Sequence, residues 1–224
     1  MEYLNTLKDI FIEGHRYQYI IDGLLFSMGV TALSSVIGTI FGVFLALMRL
    51  SKYKWVNKIA LIYIDVIRGT PAVVQLMILA NIIFVGFLRD TPILIIAAVA
   101  FGLNSGAYVA EIIRSGIEGL DKGQMEAARS LGMSYSVAMR EIIIPQAVKK
   151  ILPALVSEFI TLLKETSIVG FIGGVDLLRS ASIITSQTYR GVEPLLAVGI
   201  IYLILTSLFT KFMRKVEGGL KVSD

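Results

Sequence analysis

Glu158 is the residue in this sequence best placed to do chemistry. It stands in the run ILPALVSEFITLLKETS, an apolar helical pattern, with Thr161 and Leu162 at i+3 and i+4 where a cation could have paired with it. Lys164 is six residues on and so falls on a largely different face. A charge at membrane depth costs about 2.5–3.5 kcal/mol on insertion scales. An unpaired carboxylate there must titrate, find a distant partner or meet a cationic ligand. Four other polar groups interrupt apolar segments: Asp65 with Arg68; Gln75 and Asn81; Asn104 to Tyr108 with Glu111 and Arg114; and Lys164, Glu165, Thr166 and Ser167. Asp65 and Arg68 are three apart on one helix face, as are Glu111 and Arg114, and a structural ion pair is the favoured reading of both over ligand contact. The Gly69-Thr70-Pro71 step predicts a kink that frees backbone carbonyls.

Other chemistries find no residues to run them. The chain has no cysteine, which excludes disulfides and thiolate metal sites. It has neither a GxxxxGK[ST] phosphate loop nor a nucleophile elbow. The single histidine, His15, lies in a polar segment and reads as solvated. No enzymatic activity, metal or cofactor is expected of this chain.

The elements that must position these groups are set by composition. Of 224 residues, 55% are hydrophobic and 17% charged, and the mean hydropathy is +0.76, too apolar for an ordinary soluble domain. The apolar residues fall into five blocks, at about 20–47, 59–87, 92–113, 151–172 and 194–212. Each has the length of a helix crossing roughly 30 Å of hydrocarbon, and lipid leaves the backbone no partners but its own. Of the 21 Lys and Arg, 14 lie in the segments after spans one, three and five, against five on the other side, counting Arg89 and the 173–193 loop. The positive-inside rule then puts the N-terminus outside and the C-terminus inside. The net charge of +4 reports this topology rather than a nucleic-acid partner.

Residues 1–19 carry Leu4, Leu7, Ile10 and Phe11 at helical spacing, which predicts an amphipathic helix on the outer interface. Their acidic residues predict a retained segment, not a cleaved signal peptide. Residues 20–215 form the expected membrane domain and 216–224 a cytoplasmic tail. The 173–193 loop, with Val175, Leu177, Leu178, Ile183 and Ile184 among polar residues, reads as an outer amphipathic gate or docking element.

The cytoplasmic connection, about 116–150, has its own design. Gly123 to Leu131 reads as a short helix that Gly132 terminates, and Ser134 can cap a second. Ala127 and Ala128 are small enough for another surface to approach, and Glu126 places a carboxylate near the helix start. These are properties of a docking element, and also of a solvated connection between spans.

At these residues the chain resembles the permease subunits of ATP-binding-cassette importers, and most closely their polar amino-acid branch. Their signature runs EAA, three residues, Gly, nine residues, Ile, one residue, Leu-Pro. Glu126, Ala127, Ala128, Gly132, Ile142 and Pro145 match at every spacing, with Ile144 in place of the usual leucine. RGTPAVVQL from Arg68, the segment from Ala107 through the loop, and LLKETSIVGFIG from Leu162 extend the match over most of the chain.

The resemblance implies a type I importer fold in a bacterial inner membrane, with Gly123, Glu126, Ala127, Ala128, Gly132 and Pro145 coupling it to a separate ATPase that holds ATP and Mg2+. It implies a second permease copy or homologue and an extracytoplasmic solute-binding protein. Because the Glu158 helix lines the path in that family, the implied substrate contacts are Glu158, Ser157, Leu162, Thr70, Gln75, Asn104 and Tyr108. Asp65, Arg68, Glu111, Arg114, Lys164 and Glu165 are the implied gating or ion-pair residues. A carboxylate on the path favours arginine, lysine or histidine as cargo, over the alternatives glutamine and glutamate. An ion-coupled carrier or channel using Glu158 as its ion site would have no use for the coupling loop, and a non-transporting scaffold none for the buried charges.

Overall fold

Long apolar stretches become helices, even where a proline falls inside the run as Pro153 does. In the computed structural model, which describes residues 2–85 and 90–221, they are α1 (Glu2–Phe11), α2 (Tyr17–Arg49), α3 (Lys54–Arg68), α4 (Ala72–Val85), α5 (Ile93–Glu118), α6 (Lys122–Ser130), α7 (Tyr135–Ala138), α8 (Ile144–Glu165), α9 (Leu177–Thr188) and α10 (Val192–Lys221). Among the described residues three helices, α2, α5 and α10, are long and apolar enough to cross a membrane on their own. Two bent pairs raise the number to five. Arg89 and residues 222–224 of the tail lie outside the described residues.

The centre of the fold is α2 against α5, and glycine sets its closeness. Gly38 and Gly42 on α2 face Gly102 and Gly106 on α5, small residues four apart on each helix. A Cβ on Gly42 would lie 2.6 Å from the Val109 side chain, and one on Gly102 2.6 Å from Ile37. Ser34 Oγ donates to the Ala98 carbonyl across the same seam, at 3.2 Å. Around it pack Val30, Leu76, Ala97, Phe101, Leu162 and Val169 toward one end, and Leu45, Ala46, Ala60, Ile64, Ala107 and Ala110 toward the other. Gly42→Val is expected to destabilise the chain by about 1–3 kcal/mol through overpacking, read as a lower melting temperature of the purified transporter; an unchanged melting temperature would contradict the close seam.

The kink expected at Gly69-Thr70-Pro71 is a bend of 106° between α3 and α4. Proline has no N–H to continue the ladder, and the residue before it is pushed from helical geometry. α7 runs into α8 through one π-helical turn, Met139–Ile143, in which the Ile144 N–H reaches back to the Met139 carbonyl. The widened turn ends at Ile143, two residues before Pro145, whose ring would meet the Glu141 carbonyl in a regular α-turn.

Residues 173–193 hold an amphipathic helix, α9, with Leu178, Arg179, Ser182, Ser186 and Gln187 exposed on one side. α9 packs against α2 and α10, and Leu177, Ser180, Ala181 and Ile184 are buried. Asp176 caps it, accepting from the Leu178 and Arg179 N–H groups at 2.7 and 3.0 Å and from Gly170 N–H at 2.9 Å. Ser27 of α2 accepts the Leu177 N–H at 3.1 Å, and Ser180 Oγ donates to the Tyr19 carbonyl at 2.6 Å. Asp176 and Ser180 spend their polarity in joining α9 to its neighbours, while Ser182, Ser186 and Gln187 stay exposed. α1 forms as expected, with Ile10 buried, and Arg16 Nη1 donates to the Asp9 carbonyl at its end, 2.6 Å away.

Candidate functional site

Two polar centres meet on α5, from adjacent residues that point to different neighbours. Ser105 Oγ donates to Glu158 Oε1 at 2.8 Å, so the distant partner of the carboxylate is a hydroxyl on another helix. Beside this bond lies a cavity of about 120 Å³ between α2, α5 and α8, lined by Ser35, Thr39, Ser105, Val109, Leu155, Glu158, Phe159 and Leu162. Ser35 Oγ is bonded to the Thr31 carbonyl of its own helix. Glu158 is half-buried, and no cation is paired with it among the described residues. Ser105 falls within the polar group 104–108 that the sequence marks, whereas Ser35 and Thr39 join the carboxylate only through folding; serine and threonine can serve their own helix carbonyls, so the sequence gives those two no distinguishing mark.

The second centre braces the bend. Asn104, buried on α5, donates to Gln75 Oε1 at 2.8 Å. Gln75 Nε2 donates in turn to the Ile67 carbonyl at 2.8 Å, the Thr70 carbonyl at 3.1 Å and Thr70 Oγ1 at 2.7 Å. Thr70, Gln75 and Asn104 are thus one network, which satisfies carbonyls freed at the break. Ser157 lies outside both centres: its hydroxyl donates to the Pro153 carbonyl at 3.1 Å on an exposed face of α8.

The charged pairs divide. Arg114 binds Glu111 through two bonds, at 2.9 and 2.5 Å, and also contacts Glu118. The Asp65–Arg68 pair does not form. Arg68 lies instead over the Tyr108 ring, 5.4 Å from its centroid, where the aromatic face attracts the guanidinium. Lys164 is exposed, Glu165 half-buried, and they make no ion pair with one another.

The cytoplasmic loop has the two-helix form its caps dictate. Asp121 Oδ1 accepts the Gly123 N–H at 2.9 Å to start α6, Gly132 ends the turn at φ 84°, and Ser134 accepts the Val137 N–H at 3.3 Å to start α7. Glu126 and Ala127 face outward, but Ala128 is buried within the chain, so only one of the two alanines is open to a partner. Leu131, at 83% exposure, is an apolar outward residue that the small-residue argument passes over. Lys150 Nζ donates to the Gly119 carbonyl at 2.6 Å, and Gln146 to Gln124 at 3.3 Å, fixing the loop to α8 and α5.

Residues 38–222 match the family model described as "Binding-protein-dependent transport system inner membrane component". The chain belongs to this family. As a binding-protein-dependent inner membrane component it is 43% identical over 208 residues to the arginine transport system permease protein ArtQ of Bacillus subtilis, covering 92% of this chain and 94% of that one. It is 37% identical to the putative glutamine transport system permease protein GlnP of Rickettsia bellii, over 92% and 94%, and 35% identical to the glutamate/aspartate import permease protein GltK of Escherichia coli O6:H1, over 88% and 92%. A solved amino acid ABC transporter with histidines superposes with a TM-score of 0.85 at 46% identity, covering 92% of this chain and 97% of that chain. The inward-facing MetNI methionine ABC transporter, at 18% identity and a TM-score of 0.75 over 91% and 96%, shares the fold. This inner membrane component is an amino-acid ABC importer permease of type I fold.

Proposed function

We propose that this permease imports basic amino acids, arginine first among them, in a bacterial cytoplasmic membrane. The observation that carries the reading is the Glu158 carboxylate, oriented by Ser105 and set beside a cavity with Ser35 and Thr39. At about 30 Å³ per water, the space holds a few water-sized groups. That suits the guanidinium or ammonium end of a side chain, with the rest of the molecule extending toward the centre of a dimer. A carboxylate in a low-dielectric wall attracts a cation and repels the glutamate carboxylate. The arginine and histidine named for two similar proteins support the same cargo; the glutamine and glutamate/aspartate relatives make the neighbouring alternatives concrete.

The chain itself transports and does not hydrolyse ATP. Two permease subunits, identical or homologous, pair with two ATPases that hold ATP and Mg2+. Gly123, Glu126, Ala127 and Gly132 meet the ATPase, while Pro145 and its π-helical turn connect the contact to α8. A solute-binding protein delivers substrate at the outer face. ATP-driven closure of the ATPases biases α8 between inward-facing and outward-facing states, a rigid-body switch between two arrangements.

The test is equilibrium binding of arginine, lysine, histidine, glutamine and glutamate to the purified permease–ATPase complex. Arginine and lysine are expected to bind most tightly and glutamate least. Tightest binding of glutamine or glutamate would transfer the permease to the cargo of its other relatives.

A further inference from the structure

The corner between α2 and α3 carries charge that nothing in the transport reading uses. Arg49, Lys52, Lys54 and Lys58 fall within ten residues, and the sequence has no acidic residue from Gly23 to Ile64. Lys52, Lys54 and Lys58 are exposed, and among the described residues none of the three is in an ion pair. Between them stand two aromatics with almost nothing to pack on: Tyr53 is 69% exposed and Trp55, the only tryptophan of the chain, 79%. The corner is nevertheless fixed in place. Arg49 Nη1 donates to Asn57 Oδ1 and Asn57 Nδ2 donates back to the Arg49 carbonyl across the turn, and Ser51 Oγ accepts the Tyr53 N–H at 3.2 Å.

Helical spacing shows what the corner faces. Trp55, Ile59, Ile62 and Val66 follow at four, three and four residues, and all four are exposed, one unbroken apolar stripe on the outer side of α3. Lys54 and Lys58 are four apart, and Lys58 lies within one turn of Trp55. A stripe of this kind suits acyl chains. An indole at its end sits at headgroup level, and unneutralised ammonium groups at that level attract an anionic leaflet. An acidic protein surface would complement the lysines but would leave the continuous stripe below them unexplained.

We propose that this corner is a binding site for an anionic phospholipid of the cytoplasmic leaflet, its phosphate held by Lys52, Lys54 and Lys58 and its acyl chains lying on the Trp55–Ile59–Ile62–Val66 stripe. The site anchors the start of α3, the helix that leads to the bend braced by Thr70, Gln75 and Asn104.

The lone tryptophan makes the test direct. The full-length permease is reconstituted in phosphatidylcholine vesicles doped with brominated phosphatidylglycerol or, separately, brominated phosphatidylcholine, and quenching of Trp55 is titrated. Brominated phosphatidylglycerol is expected to quench at about tenfold lower mole fraction, within the roughly fivefold per lysine that attraction to an anionic leaflet allows. High salt is expected to remove the difference in the unaltered protein, and Lys52/Lys54/Lys58→Gln to remove it while quenching by brominated phosphatidylcholine persists. Added inorganic phosphate is expected to compete poorly, since it lacks the chains. Equal quenching by the two lipids, or a preference indifferent to salt, would overturn the proposal; so would protection of Trp55 from both lipids, which would place a protein surface on the corner.

Discussion

Glu158→Gln is expected to remove arginine binding from the permease–ATPase complex while leaving the transporter assembled. The substitution keeps the side-chain length and an oxygen that can accept the Ser105 hydroxyl, so the contact between α5 and α8 persists. What disappears is the negative charge at the cavity lined by Ser35, Thr39 and Phe159. Truncating one partner of a buried charge pair costs about 2–5 kcal/mol, a fall in affinity of about thirtyfold to several thousandfold. Ser105→Ala leaves the charge and removes a hydroxyl donor to it; such a bond is worth about 1.5–3 kcal/mol, but it is made without ligand as well as with it, so the fall in arginine affinity is expected to be smaller, about tenfold at most. That ordering separates a charge that meets the ligand from a carboxylate that merely packs helices. Unchanged arginine affinity in Glu158→Gln would make Glu158 a structural residue and remove the ground for a basic cargo.

Why the charge survives in an apolar helix is legible only in part from the sequence. The absence of a cation at Thr161 and Leu162 shows that α8 offers it no partner, and that inference needs no fold. The partner itself, Ser105, lies 53 residues away on α5 and becomes visible only when α8 packs on α5, Ile151 against Gly116, beside the Gly38/Gly42 and Gly102/Gly106 seam that sets α5 on α2. A Gly-x-x-x-Gly spacing is plain in each segment, whereas which segment it meets is a property of the assembled helices. The five apolar blocks are legible for a bulk reason, since lipid thickness fixes their length whatever they pack on. The 173–193 segment is legible only as an amphipathic helix; what it packs on is not, because Asp176 and Ser27 serve the Leu178 and Leu177 N–H groups and Ser180 the Tyr19 carbonyl. Equally local reading fails at Arg68, where three-residue spacing favours Asp65 but tertiary packing supplies the face of Tyr108.

Gly132→Asp is expected to leave the permease inserted at normal abundance and to abolish uptake. The cytoplasmic loop is the part of the molecule where sequence and structure agree most closely, because its caps act over two or three residues: Asp121 on Gly123, Ser134 on Val137, and Gly132 in the left-handed region at φ 84°. A Cβ built on Gly132 meets no atom of this chain within 4 Å. The cost to the subunit is therefore backbone strain, of order 1–2 kcal/mol for a left-handed residue and small for aspartate, which tolerates that conformation. Next to Gly132, Leu131 is 83% exposed, with Glu126 and Ala127 outward on the same short helix. Buried against an ATPase, this surface would receive a new carboxylate with no partner. A disrupted interface hot spot costs about 2 kcal/mol or more, a loss of docking of at least about thirtyfold. Gly132→Ala carries the larger left-handed strain but no charge, so it is expected to retain much of the uptake that Gly132→Asp loses. Uptake measured per amount of permease in the membrane, with co-purification of the ATPase, reads both. Normal uptake by Gly132→Asp would show that the exposed loop is only a connection between spans. Equal loss in both variants would assign the effect to the turn itself and not to a surface pressed against it.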